Sequence, residues 1–139
     1  MGRYVFDAFA LLALLKDEPG APQVESILRE AEAGRDEVYF TVVNLGEALY
    51  RLYQDRGPNA PEEAYAEIIQ WPATIVEVDR DLAIRASSHK AVRKVGYLDC
   101  FAVALAERLE AVVVTGDHDF DKALDVIKVD WLPQPLRPR

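Results

Sequence analysis

Four acidic residues of this sequence occupy positions where a strand ends or a helix begins. Asp7 follows a short apolar run, Asp117 comes just after a second one, and Glu47 and Asp99 fall in the first turns of two predicted helices. If the strands run parallel, the helices that follow them begin at the carboxyl edge of the sheet, so all four side chains face one crevice. Crowded carboxylates repel one another unless cations lie between them. The pattern therefore favours a site for Mg²⁺ or Mn²⁺, which prefer oxygen ligands.

Each acid taken alone has a structural explanation. Acidic side chains are favoured in first helical turns by the helix dipole, and aspartate after a strand is a common turn or cap residue. Only the combination of four favours a metal site. A zinc site is not indicated, because His118 is the only imidazole near these acids.

The segments that must position these acids alternate between short β-branched runs and helical patterns. Strands are predicted at residues 4–6, 38–42, 74–78, 111–114 and 125–129, and helices at residues 8–15, 22–33, 45–54, 61–70 and 80–94, with a sixth helix beginning after Gly96. Asn44 and Asp79 are the expected N-caps of the third and fifth helices. This alternation predicts an α/β fold in which a parallel sheet carries helices on both faces.

Length and composition bound the function classes. At 139 residues the chain is expected to form one domain, residues 1–132, followed by an extended tail at residues 133–139. No apolar run approaches the roughly 20 residues of a membrane helix, and the single cysteine, Cys100, indicates a cytoplasmic protein without disulfides. The net charge of −8 is unfavourable for holding nucleic acid by bulk electrostatics, so a nucleic-acid substrate would require a bound dication and local basic patches.

Two further residues near the acids could support them. Thr115 could donate a hydrogen bond to an acid or to a substrate phosphate, and a satisfied turn hydroxyl is an equal alternative. Asp119 could orient metal ligands without touching the metal, or it could cap the short helix that follows.

The helix before Asp99 ends in a basic cluster that could contact RNA phosphates. Its members are Arg85, His89, Lys90, Arg93 and Lys94. Cations are also favoured at any helix C-terminus, so the cluster has a structural explanation as well. Cys100 is expected to be a buried core residue rather than a nucleophile.

Four segments of the sequence together resemble the PIN-domain ribonucleases, and most closely the VapC-type toxins of prokaryotic toxin–antitoxin pairs. They are VFDAFALLALL around Asp7, VNLGEALY around Glu47, GYLDCFAVALA around Asp99 and VVTGDHDF around Asp117. They span nearly the whole chain, occur in the order typical of the family, and lack none of its acidic residues.

This resemblance implies a fold, an activity and partners. The fold would be a three-layer α/β/α sandwich whose five-stranded parallel sheet has the order 3-2-1-4-5. The activity would be cleavage of single-stranded RNA that depends on Mg²⁺ or Mn²⁺, by a homodimer that a small antitoxin protein inhibits. The catalytic acids would be Asp7, Glu47, Asp99 and Asp117.

The implied strand order agrees with the site inferred from the acids alone. In that order the sheet reverses direction between strands 1 and 4, where ligands bind in parallel sheets, and those strands precede Asp7 and Asp117. Asp7, Asp99 and Asp117 are expected to contact the metal directly or through water. Glu47 is expected either to contact the metal or to orient and deprotonate the attacking water. Asp79 follows an edge strand and should be a helix cap only.

Three other functions fit parts of the sequence. A receiver-type signalling module also binds Mg²⁺ at a parallel sheet, but Asp7 lacks an adjacent acidic partner and Lys128 lies inside its predicted strand. A phosphatase of the Asp-x-Asp type is excluded because Phe9 stands two residues after Asp7. A PIN-like scaffold that only binds a partner remains an alternative, although the full set of acids favours an enzyme.

Overall fold

A five-stranded parallel sheet forms the centre of the protein, in a computed structural model that describes residues 2–135. The strands are β1 (Gly2–Phe6), β2 (Asp36–Thr41), β3 (Thr74–Val76), β4 (Val112–Thr115) and β5 (Lys128–Trp131). The helices are α1 (Ala8–Leu15), α2 (Ala21–Glu32), α3 (Val42–Arg56), α4 (Ala60–Ile68), α5 (Arg80–Arg93) and α6 (Tyr97–Leu109), with a 3₁₀ helix at His118–Ala123. The strand order is β3-β2-β1-β4-β5, as the family resemblance implied.

Helices cover both faces of the sheet, which confirms the three-layer α/β/α architecture. Successive strand residues point to opposite faces, so Phe6 and Val114 pack against α1 to α4 while Val5 and Val113 pack against α5 and α6. All four side chains are fully buried. The near-continuous burial of these short strands is typical of a parallel sheet with helices on both sides.

The prediction for the second strand and third helix was wrong at their junction. Val42 was expected in a strand and Asn44 was expected to cap a helix, but α3 already begins at Val42. The N-cap is Thr41, whose hydroxyl accepts a hydrogen bond from the Asn44 amide at 3.1 Å. β-branched residues fit either a strand or a first helical turn, so the boundary depended on this cap, which sequence alone did not reveal.

The last strand begins three residues later than predicted. Residues 125–127 were expected in it, but the amides of Val126 and Ile127 both donate to the Ala123 carbonyl and so close a turn. The strand starts at Lys128 and continues to Trp131, which pairs with Thr115. Of the predicted tail, residues 133–135 have no regular structure and residues 136–139 lie outside the described residues.

Leu132, directly after β5, packs into the core. Its side chain is 4% exposed and packs in the same cluster as α1 and α2, and its amide donates to the Thr115 carbonyl at 2.8 Å. Leu132 therefore belongs to the hydrophobic core. Among the described residues, no helix has the length and apolar character that crossing a membrane requires.

Gly116 allows the loop after β4 to pack closely. A Cβ atom at this position would lie 2.4 Å from the Phe9 ring and 3.0 Å from the Leu132 carbonyl oxygen. Such distances require the ring and the backbone to move. Only glycine fits between α1 and the segment after β5 at this point.

We expect Gly116→Ala to lower the free energy of unfolding by about 1–3 kcal/mol, the usual range for overpacking. Gly46→Ala is the matched control, because a Cβ there meets no atom within 4 Å and the position lies inside α3. That control should raise stability by about 0.5–1 kcal/mol through helix propensity. Urea unfolding of both variants measures the difference, and equal midpoints would contradict the packing argument.

Candidate functional site

The four predicted acids line one cleft at the carboxyl edge of the sheet, with a volume of about 400 Å³. Asp7 caps α1 directly after β1, and Asp99 lies in the first turn of α6. Asp117 caps the 3₁₀ helix after β4. Glu47 lies in the second turn of α3, one turn further along than predicted, because the helix starts at Val42. The rest of the lining comprises Ala8, Phe9, Leu12, Lys16, Glu18, Arg51, Gln54, Asp55 and Pro135.

Asp7 is the most constrained of these acids. It is 1% exposed, and its Oδ1 accepts a hydrogen bond from the Ala10 amide at 2.9 Å. Its Oδ2 accepts a short hydrogen bond from the Thr115 hydroxyl. The same hydroxyl oxygen accepts from the Asp117 amide at 3.0 Å, so Thr115 connects two of the four acids. The hydroxyl of Thr115 therefore bonds to an acid and also closes a turn, so both alternatives predicted for it are present. Contact of Thr115 with a substrate phosphate stays a prediction.

Asn44 fixes α3 relative to α6, although sequence reasoning had assigned it only a capping role. Its side-chain amide is buried and donates to the Leu98 carbonyl at 3.2 Å, while its Oδ1 accepts from the Thr41 hydroxyl at 2.7 Å. Leu98 directly precedes Asp99, and Asn44 lies one turn before Glu47. One buried amide therefore holds the segments that carry two of the acids.

Asp119 holds the start of α6. Its Oδ2 accepts from the Gly96 amide at 2.7 Å, and its Oδ1 lies 2.8 Å from Lys122 Nζ. The capping alternative for Asp119 was wrong, because Asp117 is the residue that caps the 3₁₀ helix. Since Gly96 precedes α6, the hydrogen bond from its amide positions the turn that carries Asp99.

Burial and mutual repulsion raise the pKa values of two cleft acids. Burial raises the pKa of Asp7 to about 7, with repulsion from Asp117 and Glu47 adding to it and the Thr115 and Ala10 hydrogen bonds opposing it. Burial and the neighbouring acids, Asp7 first among them, raise the pKa of Asp99 to about 8. Such values mark a carboxylate cluster that would be stabilised by added positive charge.

Glu47 offers a further sign that the cleft suits a cation. Its side chain is 9% exposed, its Oε2 lies 2.8 Å from Arg51 Nη2, and its buried Oε1 has no hydrogen-bond partner. A buried, unpaired carboxylate oxygen costs free energy unless a ligand satisfies it. The donor set, carboxylate oxygens with open space beside them, fits Mg²⁺ or Mn²⁺.

The acids do not form a finished ligand set. Within residues 2–135, no group of three or more His, Cys, Asp or Glu side chains is already arranged to hold a metal. Both Asp7 oxygens also accept hydrogen bonds. Magnesium usually keeps several waters and takes only one or two carboxylates directly, so contacts through water fit this arrangement.

Two cationic residues of the cleft were missed by sequence reasoning. Lys16, at the end of α1, pairs with Asp55 at 3.0 Å, and Arg51 pairs with Glu47. The four-residue spacing from Glu47 to Arg51 was a usable signal, because it places both side chains on one helix face. Lys16 gave no such signal, since its position beside the cleft depends on the packing of α1 against α3.

The basic cluster of α5 lies elsewhere. Arg85 and Arg93 make paired hydrogen bonds with Glu107 and Asp125, and none of Arg85, Lys90, Arg93 and Lys94 lines the cleft. Contact of these residues with RNA phosphates stays a prediction. The buried ring of His89 lies between Glu107 and Arg93.

Two other sequence expectations are confirmed. Asp79 caps α5 by accepting from the Leu82 amide at 2.7 Å, pairs with Arg108 and does not line the cleft. Cys100 is fully buried in the core, and burial raises the pKa of its thiol to about 11, which disfavours a nucleophilic role.

The family model of the PIN domain matches residues 4–124. This chain belongs to the PIN-domain family. No curated protein sequence matches it. The strand order and the switch point between β1 and β4 are therefore those of a PIN domain.

Solved structures with this fold include VapC proteins and VapBC complexes. VapC20 of Mycobacterium tuberculosis, a toxin that cleaves the sarcin-ricin loop, superposes with a TM-score of 0.72 at 19% identity, over 94% of this chain and 99% of that one. VapBC of Salmonella typhimurium bound to DNA gives 0.72 at 19% identity, over 94% and 98%. VapBC2 of Rickettsia felis, bound to a promoter DNA fragment, gives 0.73 at 12% identity, over 94% and 99%. At these identities the likeness establishes the fold.

The raised pKa of Asp99 predicts how the PIN domain's stability depends on pH when EDTA removes divalent ions. The unfolded chain ionises this group near its ordinary value of 3.8, whereas the folded chain keeps the proton up to about pH 8. The folded state then binds more protons, so stability falls as pH rises between these values. We expect Asp99→Asn to match wild type near pH 4 and to melt at a progressively higher temperature towards pH 8.

Asp79→Asn is the control for this prediction. In wild type the pKa of the Asp79 carboxyl is held below its ordinary value, first of all by the hydrogen bond from Arg108, so Asp79 does not titrate above pH 5. Its effect on the melting temperature should therefore be constant from pH 5 to pH 9. Thermal unfolding in EDTA buffers measures both variants. A constant difference between Asp99→Asn and wild type across the same range would contradict the crowding of the acids.

Proposed function

We propose that this PIN domain is a divalent-metal-dependent ribonuclease that cleaves single-stranded RNA and acts as the toxin of a toxin–antitoxin pair. The observation that carries the proposal is the convergence of Asp7, Glu47, Asp99 and Asp117 in one cleft from four different elements. Membership of a nuclease family supports it. The fold shared with VapC20, a toxin that cleaves the sarcin-ricin loop, supports the choice of RNA.

The roles of the acids follow from their surroundings. Asp7, Asp99 and Asp117 would hold Mg²⁺ or Mn²⁺, directly or through water. When bound, such an ion neutralises phosphate charge and makes water more acidic. Glu47 has a free buried oxygen facing the cleft and would accept a proton from the attacking water or orient it. Hydrogen bonds from the Thr115 hydroxyl and the Ala10 amide would keep the Asp7 carboxylate in position during the reaction.

The test of this function uses purified protein and a labelled single-stranded RNA of mixed sequence. Cleavage should require Mg²⁺ or Mn²⁺ and stop in excess EDTA. Asp7→Asn and Asp99→Asn should each reduce the rate by at least about 100-fold, the usual scale for losing a group that stabilises the transition state. Asp79→Asn should retain wild-type activity, because that acid lies outside the cleft.

Two results would contradict the proposed chemistry. Undiminished cleavage in EDTA would exclude the metal, and equal loss of activity in Asp79→Asn and Asp7→Asn would exclude the assigned site. Transfer of phosphate from acetyl phosphate to the protein would instead support the receiver-type alternative.

The surface beside the cleft supports an antitoxin partner. Tyr50 and Tyr53 of α3 are 48% and 54% exposed, and each directly precedes a cleft residue, Arg51 and Gln54. Tyr65 and Ile69, in and just after α4, are also exposed. An apolar helix would cover these side chains, and an arginine from the same partner could pair with the cleft carboxylates. We infer a small basic antitoxin that binds here.

A second exposed apolar group supports a homodimer. Ile84 and Val92 of α5 are 60% and 69% exposed, and Tyr97 at the start of α6 is 46% exposed. Ile84 and Val92 lie eight residues apart and so share one face of α5. Covering such a group is a common reason for self-association of small domains.

We expect the protein purified from its native host to carry a small basic protein encoded next to its own gene. Tyr53→Asp should weaken that complex about tenfold or more, because it places a charge in an apolar contact. Val92→Asp, at a similarly exposed position on α5, should leave antitoxin binding intact. Isothermal titration measures both. Recovery of the protein without any small partner, together with normal growth when it is expressed alone, would contradict the toxin role.

A further inference from the structure

Arg51 pairs with Glu47, one of the four cleft acids, and this pair leaves a buried carboxylate oxygen without a partner. Arg29 with Glu25 and Arg3 with Glu37 also make single contacts, but those glutamate side chains are 60% and 37% exposed. Four other arginines pair with carboxylates through two parallel hydrogen bonds, so that both carboxylate oxygens are satisfied. These are Arg35 with Glu30, Arg85 with Glu107, Arg93 with Asp125 and Arg108 with Asp79. Arg51 instead approaches only Oε2 of Glu47, at 2.8 Å, and Oε1 has no partner.

The two partners also differ in exposure. The Glu47 side chain is 9% exposed, whereas the Arg51 side chain is 56% exposed. The carboxylate is therefore fixed inside the cleft while the guanidinium lies at its mouth. Because the guanidinium is more than half exposed, another anion at the cleft mouth can reach it. The buried Glu47 charge that it leaves would then need a cation in its place.

The cleft mouth is where an RNA backbone would pass. Because the protein carries a net charge of −8, a phosphate near the acids needs local positive charge. Arg51 and Lys16 both line the cleft, and an arginine fork matches two phosphate oxygens well.

We propose that Arg51 is a movable counter-ion: it pairs with Glu47 in the absence of RNA, and it transfers to a backbone phosphate when RNA binds. This transfer would free Oε2 of Glu47, so that the carboxylate could help to hold the metal or accept a proton from the attacking water. The inference rests on the proposed nuclease function and adds a substrate contact to it.

The first test measures metal binding and needs neither RNA nor activity. Arg51→Gln removes the competing cation but keeps a polar, unbranched side chain that suits a helix. Titration with Mn²⁺ should show affinity about three- to tenfold higher in Arg51→Gln than in wild type, as expected for removal of a nearby like charge. Lys16→Gln is the matched control, because Lys16 lines the same cleft but pairs with Asp55. It should change Mn²⁺ affinity by less than about twofold.

The second test measures RNA binding in the Asp99→Asn background with EDTA present, so that cleavage does not interfere. A fluorescein-labelled single-stranded RNA of mixed sequence is followed by anisotropy over a range of salt concentrations. Adding Arg51→Gln should weaken binding and lower the slope of log K against log salt by about 0.7, the value of one phosphate contact on a single strand. Arg51→Lys should keep the slope. Arg29→Gln, which breaks an equivalent exposed pair with Glu25 on α2, should change neither quantity.

The outcomes separate this inference from the nuclease function. Higher Mn²⁺ affinity together with a lower salt slope supports the movable counter-ion even in a protein whose cleavable RNA has not been found. Unchanged Mn²⁺ affinity, an equal increase in Lys16→Gln, or an unchanged salt slope overturns it, and each leaves the cleavage assay of the acids unaffected. Thermal unfolding of Arg51→Gln confirms that the variant is folded, and Arg51→Met serves as the second charge-removing variant if it is not.

Discussion

Burial of the Asp7 carboxylate between β1 and α1 requires hydrogen-bond donors, and the elements that supply them define the rest of the site. The Ala10 amide is available because α1 begins directly after Asp7. The Thr115 hydroxyl is available because β4 pairs with β1, so that Phe6 lies opposite Val114 and Thr115 follows at the edge. A different strand order would leave this carboxylate buried without a partner, which is costly. The parallel pairing of β1 with β4 is therefore coupled to the geometry of the cleft.

A chain of hydrogen bonds extends from Asp7 to the other acids. Thr115 accepts from the Asp117 amide, Asp117 accepts from the Asp119 amide at 2.9 Å, and Asp119 accepts from the Gly96 amide at the start of α6. Each acid thus caps or anchors the segment that carries the next one. The like charges would otherwise drive these segments apart, and the backbone donors hold them together.

The protein distributes its charge in a way that leaves the cleft unneutralised. Outside it, carboxylates are paired with arginine forks, such as Asp79 with Arg108 and Glu107 with Arg85. Inside it, no arginine of residues 2–135 pairs with Asp7, Asp99 or Asp117, and Arg51 contacts only one oxygen of Glu47. Positive charge from a dication or from a basic partner would act at the same place. This explains how one acidic crevice could serve both catalysis and inhibition.

The sequence by itself determined the architecture and the four acids. The β-branched runs, the helical patterns and the caps at Asp7 and Asp79 are local signals, and the family's motifs supplied the strand order. Local signals failed where two conformations compete. Val42 suits both a strand and a first helical turn, and at residues 125–127 the backbone amides donate within a turn instead of pairing in a strand. The tertiary structure alone decided which polar groups meet: Asn44 with Leu98, Asp119 with Gly96, and Lys16 and Arg51 at the cleft. Most of these contacts join residues more than 20 positions apart, and their partners are set by the packing of α3 and α6 on the sheet, which no local pattern encodes.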